Sequence, residues 1–331
     1  MVSLLFVTDT HIRGTAPRSR VDDFVGALRG KLAEVVEIAH REQVDAVLHG
    51  GDLFDRPDIS PAVVRDFARI LRQLEVPLYT IAGNHDIYGH NPDTVDRSML
   101  GLLDAFGIVR LLRPGERAWV RRDGVAVQVT GQPFHYDLDK RDPGDDYRVE
   151  KSDGADYAVH MVHGMAVERA LPEGVAHTMV NQLWFEEVDV LLTGHYHAGF
   201  PLQHRDGRYI INPGALARIN NHPSEMKRMP QVVLLRFRNR IDVRFLPIAC
   251  AAPGKTVLDR SYLEKAAYRE EKMASFVQEV RAAGEFKGIG ILDIVEEIAG
   301  MEGIDGEVKS EAMRRIAVAQ EQLAGEGGEG E

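Results

Sequence analysis

The chain has 331 residues, 44% of them hydrophobic and 27% charged, which is enough apolar material to bury a full-sized core unaided. A single cysteine, Cys250, excludes an internal disulfide scaffold and a cysteine zinc cluster, and makes a reducing cytoplasm the simplest compartment. The net charge of −11 argues against a polyanionic ligand for the chain as a whole, but residues 201–250 hold nine basic side chains against three acidic ones, so nucleic acid stays open.

In chain order, Leu4-Leu5-Phe6-Val7 reads as a buried strand. It stops at Asp9, has no basic flank and is too short for a secretion signal or a membrane span, so a soluble protein without membrane contact is expected. From Val21 to Glu42 apolar residues recur at helical spacing (Phe24, Leu28, Leu32, Val35). Ala46 to Leu48 is a second strand, closed by Gly50-Gly51. A helix is predicted from Pro61 to Leu74, with Ser60 as N-cap and Pro61 at the first helical position. Leu78 to Ile81 is a third strand, ending at Gly83. This alternation is α/β patterning, in which ligands sit at strand ends.

From Trp119 the pattern turns to β runs, namely Val125 to Val129, Tyr157 to Val162, Val188 to Leu192, Tyr209 to Ile211, Val232 to Phe237 and Ile241 to Leu246, which predict a second sheet. The acidic stretch Asp137 to Asp156 reads as a solvated surface loop. Beyond Pro247 the pattern is helical, over Ser261 to Ala283, Ile291 to Ile298 and Glu307 to Leu323. Gly325 to Glu331 contains only Gly and Glu and is expected to be disordered. A catalytic domain over 1–250 and a helical region over 251–331 follow.

Five short polar clusters come directly after predicted strands: Asp9-Thr10-His11, Gly51-Asp52, Gly83-Asn84-His85-Asp86, His163-Gly164 and Gly194-His195-Tyr196-His197. Each is bland alone, since a lone strand-end histidine is more often structural than a ligand. Strand ends along one sheet edge converge, so together these clusters would gather carboxylates, imidazoles and an amide in one cleft. Asp9 and Asp52 packed there would repel each other unless divalent cations were present. Within an extended segment Asp9 and His11, or His195 and His197, would face the same way. Imidazole, carboxylate and amide ligands without thiolate suit Mn, Fe or Zn better than Ca; open positions for water fit Mn, and Mg stays in range. His160 competes with His163, which is preferred because it ends its strand before Gly164. His49 reads as structural.

In this order and with these glycines, the motifs resemble the calcineurin-like metallophosphoesterase superfamily over residues 1 to about 215. The resemblance implies an α/β, four-layer double β-sandwich flanked by helices, here with a helical C-terminal appendage. It implies one cation on Asp9, His11 and His197, a second on Asn84, His163 and His195, and Asp52 bridging both. His85 would be the general acid, with Asp86 orienting it, raising its pKa or capping the turn. Two cations roughly 3.5 to 4 Å apart share a water whose pKa falls towards about 7, giving a hydroxide nucleophile at neutral pH.

Gly51-Asp52-Leu53-Phe54-Asp55-Arg56-Pro57, with Asn212-Pro213-Gly214-Ala215, is similar to the SbcD-type DNA repair exonuclease branch, some members of which carry histidine where this chain has Asp55. That resemblance implies DNA as substrate, and an SMC-like ATPase partner docked through the C-terminal helices; a homodimer is also open. Arg218, Lys227 and Arg228 are candidates for phosphate contact, as is the run Arg110, Arg113, Arg117, Arg121 and Arg122. His135 and Tyr136 are candidates for contact with substrate. For any one of these, strand-edge charge or loop packing is the competing reading. The alternatives are hydrolysis of a small phosphodiester or phosphomonoester, and a catalytically dead scaffold like the retromer subunit. A scaffold would lack ligands or the general acid, whereas all of these positions are filled here.

Overall fold

The computed structural model describes residues 1–261, 268–269, 272–276, 278, 300 and 304–326. Every residue of strand β1 (Val2–Val7) is buried, because the strand is covered on both faces. Val2, Leu4 and Phe6 point into a core between two sheets, while Leu5 and Val7 point into a core under helices. The helices on that outer face are α1 (Phe24–Arg41), α2 (Pro61–Leu71) and α3 (Met99–Ala105). Helix α1 begins at Phe24 and not at Val21, because the Asp23 side chain caps it by accepting the Gly26 N–H at 3.0 Å. Helix α2 has Ser60 at its N-cap and ends at Leu71, three residues short of the predicted end.

Strands β2 (Ala46–His49), β3 (Leu78–Thr80) and β4 (Arg110–Leu111) follow β1 in parallel register. On the other side of β1, β13 (Gln231–Phe237) and β14 (Ile241–Pro247) add antiparallel, giving the order β14-β13-β1-β2-β3-β4. The second sheet has the order β11-β12-β10-β7-β6-β5. Its centre is parallel: β12 (Arg208–Asn212), β10 (Val190–Thr193), β7 (Tyr157–Val162) and β6 (Val125–Gln132). Its edges, β11 (Phe200–Arg205) and β5 (Arg117–Arg122), are antiparallel. A short parallel pair, β8 (Ala166–Val167) and β9 (Thr178–Met179), lies apart. The result is a mixed α/β fold with two six-stranded sheets face to face and helices outside.

The outer face of the second sheet corrects one expectation. Residues 137–156 are a surface loop only in part: many of their side chains are exposed, but Leu138 and Tyr147 are buried against Val162, Leu191 and Ile210, and helix α4 (Gly144–Tyr147) lies within the stretch. Asp146 is buried because Arg141 and His135 both bond its carboxylate. Asp139 accepts the Tyr147 hydroxyl at 2.5 Å, the Thr178 hydroxyl at 2.6 Å and the Met165 N–H at 2.7 Å. Acidity here marks internal anchors.

Contacts divide the chain into Met1–Asp259 and Arg260–Glu331. In the second unit a helix spans Gly306–Glu326, running through Gly325 and Glu326 where a structureless tail was expected. Phe276 and Ala312 are buried there with Met273, Ile304, Met313 and Ile316 around them. The predicted helix Ser261 to Ala283 is described only in part, and Ile291 to Ile298 and residues 327–331 lie outside the described residues. Among the described residues no helix is long and apolar enough to cross a membrane.

Candidate metal centre

Three neighbouring parallel strands of the first sheet deliver Asp9 and His11 (after β1), Asp52 (after β2), and Asn84 and His85 (after β3). Two neighbouring parallel strands of the second sheet deliver His163 (after β7), and His195 and His197 (after β10). Main-chain hydrogen bonds stitch the turns together: Asp9 N–H donates to Gly51 O (3.1 Å), His11 N–H to Asp52 O (3.0 Å) and Ala217 N–H to Asp9 O (3.1 Å).

Extended alternation is not what aligns Asp9 with His11. Both adopt left-handed backbone (φ 52° and 42°), as do Asp52 (53°) and His195 (69°). Each non-glycine residue in that region costs of order 1 kcal/mol, and long-range contacts must hold it there. Close approach explains two glycines. A Cβ on Gly83 would lie 2.1 Å from Asp52 Oδ1, and one on Gly51 2.3 Å from His163 Nδ1, with Gly51 also at φ 97°.

Among the described residues the ligand-type atoms fall into three groups, with atoms in each within 4.8 Å of one another: Asp9, His11, Asp52 and His197 form the first, Asp52, His163 and His195 the second, and His11, Asp55 and His85 a third beside the first. Asn84 Oδ1 joins the second at 3.2 Å from His163 Nε2. Asp52 belongs to the first two. Its Oδ2 is 3.6 Å from His11 Nε2 and 3.3 Å from His163 Nε2, and it has no hydrogen-bond partner. His11 Nε2 and His197 Nε2 face each other at 3.0 Å. Adjacent ligand atoms about 2.1 Å from one cation stand roughly 3 Å apart, so this donor set fits a divalent ion in each of the first two groups.

The supporting hydrogen bonds aim these atoms inward. His163 Nδ1–H donates to Gly50 O (2.8 Å), which leaves Nε2 with its lone pair in the cluster. The Thr8 hydroxyl bonds Asp9 Oδ2 at 2.6 Å, and the His195 N–H lies 3.2 Å from both Asp9 oxygens. Without cations the charges are frustrated. Burial pushes the Asp9 carboxyl up and the His11 imidazole well down, and burial takes His195 down to about 3. Burial opposes ionisation of Asp52 as well, but His163, His11 and His85 outweigh it and hold the carboxyl well below its usual range. His163 is driven up to about 9 because Asp52 and Asp9 outweigh its burial. Divalent cations would neutralise the carboxylates and take the imidazoles as neutral ligands in such a site.

His85 stands beside the cluster, its ring edge-on to His11 at 4.8 Å between centroids. Its Nδ1–H donates to the Asp55 carbonyl at 2.9 Å and its main-chain N–H to Asp52 Oδ1 at 2.9 Å. A carbonyl only accepts, so Nδ1 keeps its proton and Nε2 is the atom of His85 open to gain or give one. Asp86 does not orient this ring. Its buried carboxylate takes the N–H groups of Gly83 (2.9 Å), Phe54 (2.8 Å) and Leu53 (3.2 Å), while burial, then Asp52, push it up to about 7. It is the turn cap that ties the loop after β3 to the loop after β2, which is the capping reading of Asp86 that the sequence left open beside the catalytic one. The partner of His85, the Asp55 carbonyl, has no signature in side-chain pattern and could not be found from sequence. The Asp55 carboxylate bonds Arg13 Nη1 at 3.0 Å and approaches His11 Nδ1 at 3.7 Å.

The basic candidates are largely committed elsewhere. Arg218 is buried, bonding the carbonyls of Ala252 and, at 3.4 Å, Arg228. Arg228 grips Glu225 with two bonds of 2.7 Å and the carbonyls of Ala215 and Ala217. Both brace the segment behind Asp9, and neither presents its guanidinium to a phosphate. Lys227 is exposed. His135 is bound to Asp146 at 2.8 Å. Along the other basic run, Arg113 pairs with Asp96, Arg122 with Asp45, and Arg121 lies over Trp119. His49 and His160 are buried outside the cluster, bonded to Thr10 and Thr130 respectively.

The profile of the calcineurin-like phosphoesterase family matches residues 2–219. A DNA double-strand break repair protein Mre11 from Halobacterium salinarum is 28% identical over 176 residues, 50% of this chain and 39% of that protein. The Mre11 protein of Saccharolobus solfataricus is 29% identical over 119 residues, 34% of this chain and 30% of that protein. The chain thus aligns with well under half the length of these curated relatives. A dimetal phosphatase from Danio rerio superposes with a TM-score of 0.48 at 12% identity, covering 76% of this chain and 98% of that one.

Proposed function

Because the chain belongs to the calcineurin-like phosphoesterase family, we propose that it is a hydrolase of DNA phosphodiesters working with two divalent cations, manganese foremost. Asp9, His11, Asp52 and His197 would hold one cation, and Asp52, Asn84, His163 and His195 the other. The observation that carries this reading is the shared Asp52, whose unpartnered Oδ2 lies between His11 and His163. When bound, such a pair supplies Lewis-acid activation of water and neutralises charge developing on the phosphoryl oxygens.

The protein's own contribution is positioning and proton supply. The Asp9, His11, Asp52 and His195 turns are held in left-handed backbone by the stitching above, so the ligand atoms are organised before substrate arrives. With Nδ1–H fixed on Asp55 O, protonated His85 delivers its Nε2 proton to the leaving oxygen, so that it departs as an alcohol. The half-buried ring lies at the margin of the cluster, where a leaving group can reach it.

DNA is favoured over a small ester by two relatives whose names declare DNA double-strand break repair and by the Gly51 to Pro57 string. An SMC-like ATPase bound through residues 251–331, a homodimer and a cytoplasmic location belong to the same reading. Purified protein with Mn or Mg, assayed on single-stranded DNA, duplex DNA, an aryl diester and an aryl monoester, tests it. Cleavage of DNA that falls steeply with salt supports it; turnover of the small esters alone refutes the DNA assignment. Recovery of the ATPase with the full chain but not with residues 1–250 would support that partner, and equal recovery would remove it.

A further inference from the structure

We propose that Tyr136 and Tyr88 form a stacking platform for an unpaired nucleobase flanking the phosphodiester that is cut; this rests on the DNA reading above. A line of ring contacts leads outward from the ligand cluster. The Phe134 ring lies 6.0 Å from that of His195, and the His90 ring packs edge-on to Phe134 at 5.6 Å. The Phe134 N–H donates to Ala82 O at 3.0 Å, fixing this segment against the strand end that carries Asn84. Two residues on, the Tyr136 hydroxyl donates to the Gly89 carbonyl and ties the two loops together. Gly89 and His90 are both left-handed (φ 55° and 59°), which makes a tight turn directly after Tyr88.

Although its hydroxyl is anchored in this way, Tyr136 is 53% exposed; Tyr88, held through its main-chain N–H to the Thr94 hydroxyl, is 39% exposed, so packing does not consume their rings. A phenol held by its hydroxyl offers a flat face with little rotamer entropy left to lose. Asp93 and Asp137, on the same loops, are exposed and acidic. Lys140 and Arg141 are exposed on the same segment as Asp137, so the loops carry both signs of charge, and the phenol rings are what suits the neutral π face of a base. A phosphodiester at the ligand cluster carries one nucleoside on either side, and a base splayed outward past His195 and Phe134 would meet these loops. Stacking on an aromatic side chain is tolerant of sequence and needs the base unpaired, so the platform favours single strands and frayed ends.

The test compares kcat/KM on a single-stranded oligonucleotide with that on the same oligonucleotide bearing abasic residues beside the cut phosphate. The native protein should prefer the intact strand by roughly 5- to 100-fold. Tyr136→Ala and Tyr88→Ala should each collapse that ratio, while Tyr136→Phe, which keeps the ring but loses the tether to Gly89, should keep most of it. Equal handling of both strands by the native protein, or an unchanged ratio in both alanine variants, overturns the platform and leaves the DNA reading standing. If the native protein cuts an aryl diester and no DNA, the DNA reading fails and the platform falls with it.

Discussion

Replacing His85 with glutamine probes proton delivery apart from substrate binding. The structure makes Asp55 O the acceptor for Nδ1–H at 2.9 Å, so the Nε2 proton is the one available to a leaving oxygen. An amide keeps similar volume but cannot donate an acidic proton. For DNA, whose leaving group is an alkoxide, loss of a general acid should lower kcat by about 10² to 10⁴, or roughly 2.7 to 5.4 kcal/mol in the barrier. An aryl diester leaves as a weakly basic phenolate and needs little protonation, so its kcat should fall far less. The assay is steady-state kinetics of native and His85→Gln protein on both substrates, with bound metal measured by elemental analysis. His85 lies outside both cation groups that share Asp52, so metal content should hold. Equal losses on the two substrates, or loss of metal, would refute proton donation and make His85 a binding or ligand residue.

Asp52→Asn should cost both cations, because Asp52 belongs to both cation groups. Elemental analysis should read clearly below two ions per chain, and the stabilisation of about 2.7 kcal/mol expected from Mn at 100 times its Kd should vanish from thermal unfolding. Gly83→Ala drives a Cβ to 2.4 Å from the Asp52 main-chain nitrogen; denaturant titration should show about 1 to 3 kcal/mol lost, together with activity. Burial lowers the His160 pKa to about 4, so the unfolded chain binds the extra proton. Its contribution is present above pH 6.5 and is lost as pH falls towards 4, about 3 kcal/mol in all. In metal-free protein His160→Asn should vary less in stability between pH 7 and pH 4.5, and an unchanged slope would disprove the assignment. Arg218→Ala should reduce stability by about 1 to 3 kcal/mol, through the carbonyls it leaves unbonded, without changing the salt slope of DNA binding.

Much of this protein is legible without coordinates, because strand burial and turn composition are local properties. Apolar runs such as Leu4 to Val7 and Tyr157 to Val162 announce strands, and polar clusters directly after them announce where ligand-type side chains emerge. That five such clusters sit at the ends of adjacent parallel strands follows from the α/β rule that strand ends converge. The clusters could therefore be named together, while the choice of Asp9, His11, Asp52, Asn84, His163, His195 and His197 within them came from the family resemblance.

Tertiary structure decided where each polar group points. The left-handed turns at Asp9, His11, Asp52 and His195 exist because distant main chain clamps them, and no local pattern encodes a contact with residue 217. Asp55 stands three residues after Asp52 and Asp86 two residues after Asn84, yet one lent its carbonyl to His85 and the other became a buried cap. Arg218 and Arg228 sit in a basic stretch that reads as surface, but they are spent on buried carbonyls and Glu225. A side chain's type and spacing are written in sequence; its partner is chosen by whichever group folding brings within 3 Å, and burial then makes that choice costly to reverse.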